Sequence, residues 1–213
     1  MKSIYQFSQE EMIDEFLAYN EKKFRATQVF EWIYRKQVYS FEDMSNLSLT
    51  LRQELAQRYS TDLLKIKEKQ VSHDGTIKYL FELTDGGLVE SVLMVHDYGK
   101  SLCVTSQLGC NMGCAFCASG LLKKQRNLTA AEMVLQVLTV THDIQDRVTH
   151  VVVMGTGEPF DNYDEVMESV EEVRQSLLVA LIDRKINKYI GDVDGIVKKL
   201  EKDKYFIVIR KES

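Results

Sequence analysis

The residues of this chain best suited to chemistry are its four cysteines, which all lie between positions 103 and 117. A disulfide framework would spread its cysteines to join distant segments, so this crowding indicates metal or redox chemistry. Cys110, Cys114 and Cys117 have the spacing C-x3-C-x2-C. Three thiolates on one short loop can bind three irons of a 4Fe–4S cluster and leave the fourth iron free for a small molecule. Phe116 would shield such a cluster from water.

A structural zinc site is the main alternative interpretation of the same cysteines. Zinc in closed sites takes four ligands, commonly as two C-x2-C pairs. This chain has one triplet and no second pair, and the nearest possible further ligands are His96 and His150. Three unrelated buried cysteines are a third interpretation. The spacing favours an iron–sulfur cluster over both.

The segments around the cysteines predict a parallel α/β unit. Residues 102–106 are expected to form a short strand that leads into the cysteine loop. Thr129 and Glu132 form a capping box before a predicted helix at 131–141. The nearly continuous apolar run at 148–154 is typical of a buried parallel strand. Strand, loop, helix and strand make a βαβ unit, so a parallel architecture is expected from about residue 102.

The N-terminal part of the chain has the hydrophobic periodicity of helices. Ser8 and Glu11 form a capping box that opens a helix reaching about residue 19. Two further helices are predicted at 24–36 and 51–59. Together these helices predict a small domain that ends near residue 62.

A different pattern, with period two, follows this helical part. It predicts strands at 65–71, 76–83 and 88–95, separated by Asp74-Gly75 and Asp85-Gly86. Asp-Gly pairs are the turn chemistry of tight hairpins, so these strands are expected to form an antiparallel meander. Near the other end of the chain, residues 205–210 are predicted to form a final strand.

The composition is that of an ordinary globular protein, with 45% hydrophobic and 28% charged residues. No apolar run reaches the roughly 20 residues that a membrane span needs, and the first residues lack the apolar core of a signal peptide. We therefore expect a cytoplasmic protein that does not contact a membrane. The net charge of −5 argues against a wide nucleic-acid surface. Basic clusters at 22–25, 35–36 and 123–126 are explained equally well by local RNA contacts and by solvated helix ends.

These motifs occur together in a known enzyme family. The cysteine triplet is that of radical S-adenosylmethionine (SAM) enzymes, and the sequence CVTSQLGC at 103–110 resembles one branch closely. That branch comprises bacterial methyltransferases that modify C2 of adenine in large-subunit ribosomal RNA and in transfer RNA. The segment KFRATQVFEWI at 23–33 resembles the helical accessory domain of this family. Residues 41–47 and the GTGEP segment at 155–159 match it as well, so the resemblance covers residues 1 to about 163.

The resemblance implies a fold and a set of partners. The fold class would be α/β, with a small helical accessory domain, a short antiparallel meander and the first part of a radical SAM partial (β/α) barrel, followed by an α+β tail. The cofactors would be a 4Fe–4S cluster and SAM. Ribosomal RNA and transfer RNA would be the substrates, and a flavodoxin or ferredoxin would donate electrons.

The resemblance also implies roles for individual residues. Cys110, Cys114 and Cys117 would hold the cluster, whose open iron binds SAM. The loop of Gly157 and Glu158 follows a strand at its C-terminal end, where α/β sheets bind ligands, and Glu158 would meet the ammonium group of SAM. One electron would then cleave the sulfonium and leave a 5′-deoxyadenosyl radical.

Two further residues match catalytic positions of the family. Cys103 would resolve a covalent adduct between enzyme and RNA, although its spacing alone suits an ordinary buried strand cysteine. Glu90 would accept a proton near the target adenine, and the alternative is a carboxylate that faces solvent from a strand.

The resemblance ends near residue 161. The family keeps a methyl-carrying cysteine near its C-terminus, whereas this chain has no cysteine after Cys117. Residues 174–187 and 194–205 resemble instead the degenerate GGDEF-like segment of cyclic-di-AMP phosphodiesterases, without the hydrolase module of those enzymes. We therefore expect a chimeric or truncated chain.

The sequence thus predicts three domains: a helical RNA-binding domain at 1–62, an incomplete radical SAM core at 63–160 and a GGDEF-like fragment at 161–213. The expected function is methylation of adenine C2 in RNA, by a copy of the enzyme that is incomplete and inactive. A non-catalytic RNA- or nucleotide-binding fragment is the alternative.

Overall fold

The computed structural model describes residues 1–176. The predicted strand at 205–210 and most of the GGDEF-like segment lie outside the described residues.

The N-terminal part is helical, as its periodicity predicts. Its regular elements are a short strand β1 (Lys2–Ser3), helices α1 (Gln9–Ala18), α2 (Lys23–Tyr34) and α3 (Leu49–Arg58), and a short strand β2 (Tyr59–Ser60). The strands β1 and β2 pair in parallel and bring the two ends of this part together.

Local chemistry explains where these helices begin and end. The side chain of Ser8 accepts from the backbone N–H of Glu11, whose carboxylate accepts in return from Ser8 N, so the predicted capping box is confirmed. Helix α2 ends at Tyr34, two residues before the predicted end, and beyond it Lys36 N donates to the carbonyl of Glu31, five residues back, instead of making the helical bond to Trp32. The core of this part is made by fully buried side chains of all three helices: Met12, Phe16, Val29, Ile33, Tyr34 and Leu55.

A mixed sheet of five strands forms the centre of the described chain. Its spatial order is β3-β4-β5-β6-β9. The strands are β3 (Lys65–Val71), β4 (Ile77–Glu82), β5 (Leu88–His96), β6 (Gly99–Cys103) and β9 (His150–Val152), while β7 (Gln107–Leu108) and β8 (Arg126–Asn127) pair separately. The predicted meander is confirmed as β3-β4-β5, but it is not a separate layer. Strand β6 joins it to β9, so meander and βαβ unit share one sheet.

Helix α4 (Ala130–Ile144) covers one face of this sheet. It begins at the predicted capping box of Thr129 and Glu132. Its buried side chains lie in one apolar cluster with Tyr79, Phe81 and Leu102 of the sheet. Strand β6, helix α4 and strand β9 form the predicted βαβ unit, since β6 and β9 are parallel neighbours. Within residues 1–176, no helix is long and apolar enough to cross a membrane.

Both strands of the βαβ unit differ from the prediction: β6 begins and ends three residues earlier than the predicted strand at 102–106, and β9 is shorter than the predicted strand at 148–154. Strand β6 ends at Cys103, and the backbone leaves the ladder completely at Thr105, whose N–H donates to the side chain of Gln136. Strand β9 covers only His150–Val152, and its side chains are half-buried rather than buried. It forms one edge of the described sheet, so only one neighbouring strand covers it.

Helix α5 (Tyr163–Ser176) packs on α4 and reaches α2 of the helical part. At this contact the hydroxyl of Tyr34 donates to Oε2 of Glu172 at 3.3 Å. Glu172 is only 4% exposed. Burial raises the pKa of Glu172 to about 8, and the nearby carboxylate of Glu168 contributes to the rise. The contact thus contains a carboxyl group that stays protonated at neutral pH.

The raised pKa of Glu172 predicts how stability depends on pH. Below the pKa that Glu172 has in the unfolded chain, its carboxyl is protonated in both the folded and the unfolded protein. The stability that the folded protein has with this carboxyl protonated is lost as pH rises through about 8. Glu172→Gln keeps the shape of the side chain without its charge. Near pH 8.5 the free energy of unfolding of the variant should therefore exceed that of the wild type by at least about 1 kcal/mol. Near pH 5 the two proteins should have similar free energies of unfolding. Urea denaturation at both pH values measures this. The exposed Glu54→Gln serves as the control, and an equal gain at both pH values would contradict the prediction.

Candidate active site

The cysteine loop (residues 110–117) projects from a small β stem. Strands β7 and β8 pair antiparallel, with Gln107 opposite Asn127. Above this pair, Cys110 N donates to the carbonyl of Leu122 at 2.9 Å and fixes the base of the loop. Strand β7 therefore connects the cysteine loop directly to the end of β6.

The three predicted cluster ligands lie together on this loop, near the surface. Cys114 and Cys117 are exposed, and Cys110 is half-buried. The hydroxyl and the backbone N–H of Ser119 lower the pKa of Cys117 by hydrogen bonding to its sulfur. Within the described part of the chain, no three cysteine, histidine or acidic side chains are gathered closely enough to hold a metal ion. The loop thus presents three thiols without drawing them to one point.

The Gly-Glu loop (residues 155–158) follows strand β9 by three residues. It is joined by hydrogen bonds to residues 104–107, which follow β6, and we call this set of bonds the loop seam. Its backbone bonds are Gly155 N to Val104 O at 3.0 Å, and Ser106 N and Gln107 N to Thr156 O at 3.1 Å each. Two side chains complete it: Thr105 Oγ1 accepts from Thr156 N at 3.1 Å, and Gln107 Oε1 accepts from Glu158 N at 2.9 Å.

The two backbone segments joined by the loop seam lie so close together that two positions admit only glycine. A Cβ on Gly155 would lie 2.7 Å from the carbonyl oxygen of Val104. A Cβ on Gly157 would lie 2.6 Å from Cβ of Gln107, and the φ of +112° at Gly157 is itself one that other residues avoid. These glycines therefore serve first to let two backbone segments meet.

Glu158 lies at the start of a short helical turn. Its Oε1 accepts from Phe160 N at 3.0 Å and caps the 3-10 turn Pro159–Asn162, in which Pro159 takes the first position. Proline suits this position because it has no N–H that would need a partner. The carboxylate is thereby held at the top of the Gly-Glu loop, half-buried.

The cysteine loop and the Gly-Glu loop are neighbours in space as well as through the seam. The 3-10 turn Ala118–Leu121 follows Cys117 directly. Its Ser119 Oγ lies 3.4 Å from Oγ1 of Thr156. Residues 114–119 and 155–158 therefore border one surface region, at the C-terminal ends of β6 and β9.

The structure places Glu90 and Cys103 on one face of the sheet. Cys103 is paired with Val92 across β5 and β6, and Glu90 precedes Val92 by two residues. Because paired strand residues point to the same side, both side chains lie on the face opposite helix α4. Burial raises the pKa of the Cys103 thiol. Lys78 Nζ lies 2.6 Å from Oε1 of Glu90, so the carboxylate has a cationic partner.

The polar side chains that support these loops were not predicted from the sequence. They are buried or half-buried: Thr105, Gln107, Asn127, Gln136 and Asn162. Two of them had a visible signal, since Gln136 interrupts an apolar helix and Gln107 lies inside the CVTSQLGC segment.

Comparison with known proteins agrees with this geometry. Residues 2–60 match the family model described as "Ribosomal RNA large subunit methyltransferase N-terminal domain". A "Probable dual-specificity RNA methyltransferase RlmN" of Enterococcus faecalis is 50% identical over 204 residues, which is 93% of this chain and 56% of that protein. The chain is similar to RlmN over most of its length. A protein of the same name from Streptococcus thermophilus is 50% identical over 189 residues, covering 86% of this chain and 49% of its own.

A solved structure confirms the fold class. A radical SAM methyltransferase from Sphaerobacter thermophilus matches with a TM-score of 0.74 and 36% identity, over 82% of this chain and 52% of that one. The mixed α/β architecture with its small helical N-terminal part is thereby confirmed. The chain spans about half the length of the relatives it matches.

The same comparisons bear on the tail. The match to the E. faecalis protein covers 93% of the chain and so extends past residue 163, where the resemblance was expected to end. The family model and these relatives give no support to the GGDEF-like interpretation of the tail. The division into domains at residues 62 and 160 stays a prediction.

Burial predicts how differently the cysteines react. The thiolate is the nucleophile, and Cys103 is half-buried with a raised pKa, whereas Cys114 is exposed. In the metal-free protein, iodoacetamide should modify Cys114 at least about tenfold faster than Cys103. Mass spectrometry of timed digests measures the modification rates of both cysteines. As a control, the two rates should become similar when the protein is unfolded in urea. Equal rates in the folded protein would contradict the placement of Cys103.

Proposed function

We propose that this chain carries the cofactor-binding part of a radical SAM enzyme that methylates C2 of adenine in large-subunit ribosomal RNA and in transfer RNA. The loop seam is the observation that carries the proposal. It holds a C-x3-C-x2-C loop beside a Gly-Glu loop at the C-terminal ends of two parallel strands, where α/β sheets bind ligands. The relatives named as dual-specificity RNA methyltransferases support the substrate class.

Cys110, Cys114 and Cys117 would hold the 4Fe–4S cluster. Their donor chemistry fits this group, because residues 110–117 contain three thiols and no carboxylate, and soft thiolate ligands suit iron–sulfur clusters. The described loop does not gather the thiols, so binding would also order the loop. When bound, the cluster supplies the electron that cleaves the sulfonium of SAM.

The Gly-Glu loop would hold the amino end of SAM. The glycine at position 157 lets the loop pack directly on Gln107, which fixes the loop beside the cysteine loop. The carboxylate of Glu158 complements an ammonium group, and its bond to Phe160 N keeps it at the edge of the loop. These residues would bind and orient SAM, and the reactive chemistry would come from the cofactor itself.

Glu90 and Cys103 would act on the RNA. Both lie on the sheet face opposite α4, on neighbouring strands, with Cys103 at the end of β6 that leads to the seam. Glu90 would take a proton from the target adenine, and Lys78 would fix the carboxylate for that role. Cys103 would resolve the enzyme–RNA adduct, as the matching residue does in the family.

The helical part would bind the RNA. Its surface combines cations with aromatic rings: Lys36 Nζ lies 3.5 Å from the centre of the Trp32 ring, and the guanidinium of Arg25 lies 4.8 Å from that of Phe24. Such groups can contact both phosphates and bases. The enzyme would act in the cytoplasm, where a flavodoxin or ferredoxin supplies electrons.

The 213 residues as they stand would not complete the reaction. The family needs a second thiol to accept the methyl group, and the only cysteine outside the predicted cluster set is Cys103. A non-catalytic RNA- or nucleotide-binding fragment is therefore the alternative for this chain. No role is proposed for residues 177–213.

Replacing one cluster ligand tests the metal assignment. Anaerobic reconstitution with iron and sulfide should give a brown protein with near-equal amounts of both, and Cys114→Ala should remove the colour because two thiolates cannot hold the cluster. Absorption spectra and metal analysis measure the outcome. Cys103→Ala is the matched control and should keep the colour. A colourless wild type with stoichiometric zinc would overturn the assignment.

Product analysis tests the proposed activity. With reductant, SAM and ribosomal RNA, the reconstituted chain should form 5′-deoxyadenosine slowly and no 2-methyladenosine, since it lacks the methyl carrier. Chromatography of the small molecules and mass spectrometry of the digested RNA measure both products. Cys114→Ala should form neither. Detection of 2-methyladenosine would show that these 213 residues transfer a methyl group and would refute the proposed inactivity.

A further inference from the structure

Three carboxamide side chains support the turn that carries Glu158. Gln107 and Asn162 are 1% and 3% exposed, and Asn127 is half-buried. Carboxamides both donate and accept hydrogen bonds, so a row of them can connect several backbone groups. Here the row connects both ends of the turn to the stem of the cysteine loop.

The hydrogen bonds of Gln107 and Asn127 run in one direction. Gln107 Oε1 accepts from Glu158 N at 2.9 Å, and Gln107 Nε2 donates to Asn127 Oδ1 at 2.9 Å. Asn127 Nδ2 donates in turn to the carbonyl of Asp161 at 3.1 Å. If either amide were reversed, two donors or two acceptors would face each other. The order of the bonds therefore fixes the Gln107 oxygen beneath Glu158. We call Gln107 and Asn127 the amide relay.

Asn162 anchors the far end of the same turn. Its Nδ2 donates to the carbonyls of Ser106 and Leu128, at 2.9 and 2.8 Å. Ser106 adjoins Gln107 on the seam, and Leu128 adjoins Asn127. The turn from Glu158 to Asn162 is thus held at its first residue and at its last two residues.

We propose that Gln107 is a positioning residue, which through the amide relay fixes the Glu158 carboxylate for binding of the ammonium group of SAM. This role rests on the proposed function. Gln107 lies on β7, which leads into the cysteine loop, and its Cβ and Cγ lie directly beneath Gly157. The side chain of Gln107 thereby contributes, together with the backbone bonds of the loop seam, to the distance between the two loops that must hold the same cofactor.

An ordinary core residue would not need the polar end of Gln107. A methionine has similar length and would fill the same space, but it would leave Glu158 N and Asn127 Oδ1 without their partners. Loss of a partner from a buried polar group weakens the local structure markedly. The effect should be confined to the turn and the adjoining stem strand β8, because the side-chain hydrogen bonds described for Gln107 go to Glu158 and to Asn127.

The variant Gln107→Met tests the role in two ways on the full chain. In the metal-free protein, the amide hydrogen of Glu158 should exchange about tenfold faster or more, as measured by hydrogen-exchange mass spectrometry or NMR. In the reconstituted protein, the dissociation constant for SAM should rise about tenfold. Electron paramagnetic resonance of the reduced cluster during titration with SAM measures this constant.

Two further variants make the test decisive. Asn127→Ala removes the other half of the relay at a half-exposed position, so it should fold and show smaller effects in the same direction. Val134→Ala leaves a cavity in the core beneath α4, so it should lower global stability without a selective effect at Glu158. Unchanged exchange at Glu158 in Gln107→Met, or unchanged SAM affinity, would overturn the positioning role. A wild type that forms its cluster and does not bind SAM would overturn the proposed function itself.

Discussion

The candidate site depends on the contact between two backbone segments, 104–107 and 155–158. Each segment continues the chain just beyond a strand, β6 on one side and β9 on the other, at the point where the ladder stops. Parallel strands end at the same edge of a sheet, so their following loops meet there. The absence of side chains at Gly155 and Gly157 lets them meet closely enough for backbone hydrogen bonds. A cysteine loop and an acidic loop 41 residues apart in sequence, counted from Cys117 to Glu158, are thereby brought to one place.

Helix α4 supports this contact from below through one buried glutamine. Gln136 Oε1 accepts from Thr105 N at 2.9 Å, and Gln136 Nε2 donates to Thr105 O at the same distance. The side chain therefore pairs with the backbone of Thr105 as a neighbouring strand would. Gln136 Oε1 also accepts from Ser91 Oγ of β5 at 2.7 Å, so sheet, helix and seam share one residue. This satisfies the polar groups of Thr105 where β6 leaves the ladder, in a region that excludes water.

The sequence predicts much of the fold because the relevant signals are local. Capping boxes at Ser8 and Thr129 determine where α1 and α4 begin, and both are confirmed. The Asp-Gly pairs mark the turns of the meander, which is confirmed as well. The sequence did not predict that the meander and the βαβ unit share one sheet. An alternating pattern of apolar and polar residues identifies β5 and β6 as strands, but it does not show that they pair with each other. The contacts of Gln107 and Asn162 could not be predicted either, because Glu158 and Ser106, to which they bond, lie 51 and 56 residues away.

The hydroxyl of Thr105 connects the two halves of the proposed chemistry. It donates to the carbonyl of Glu90 at 2.6 Å and accepts from Thr156 N at 3.1 Å. One hydrogen bond reaches the strand residue whose carboxylate would receive a proton, and the other reaches the loop that would hold SAM. A valine would fill the same space without either bond, so shape alone does not account for the threonine. The side chain of Thr105 therefore joins the strand that carries the acid to the Gly-Glu loop. Reaction at a base requires the base and the cofactor to be held at a fixed separation, and in this fold the order of strands β5, β6 and β9 provides it.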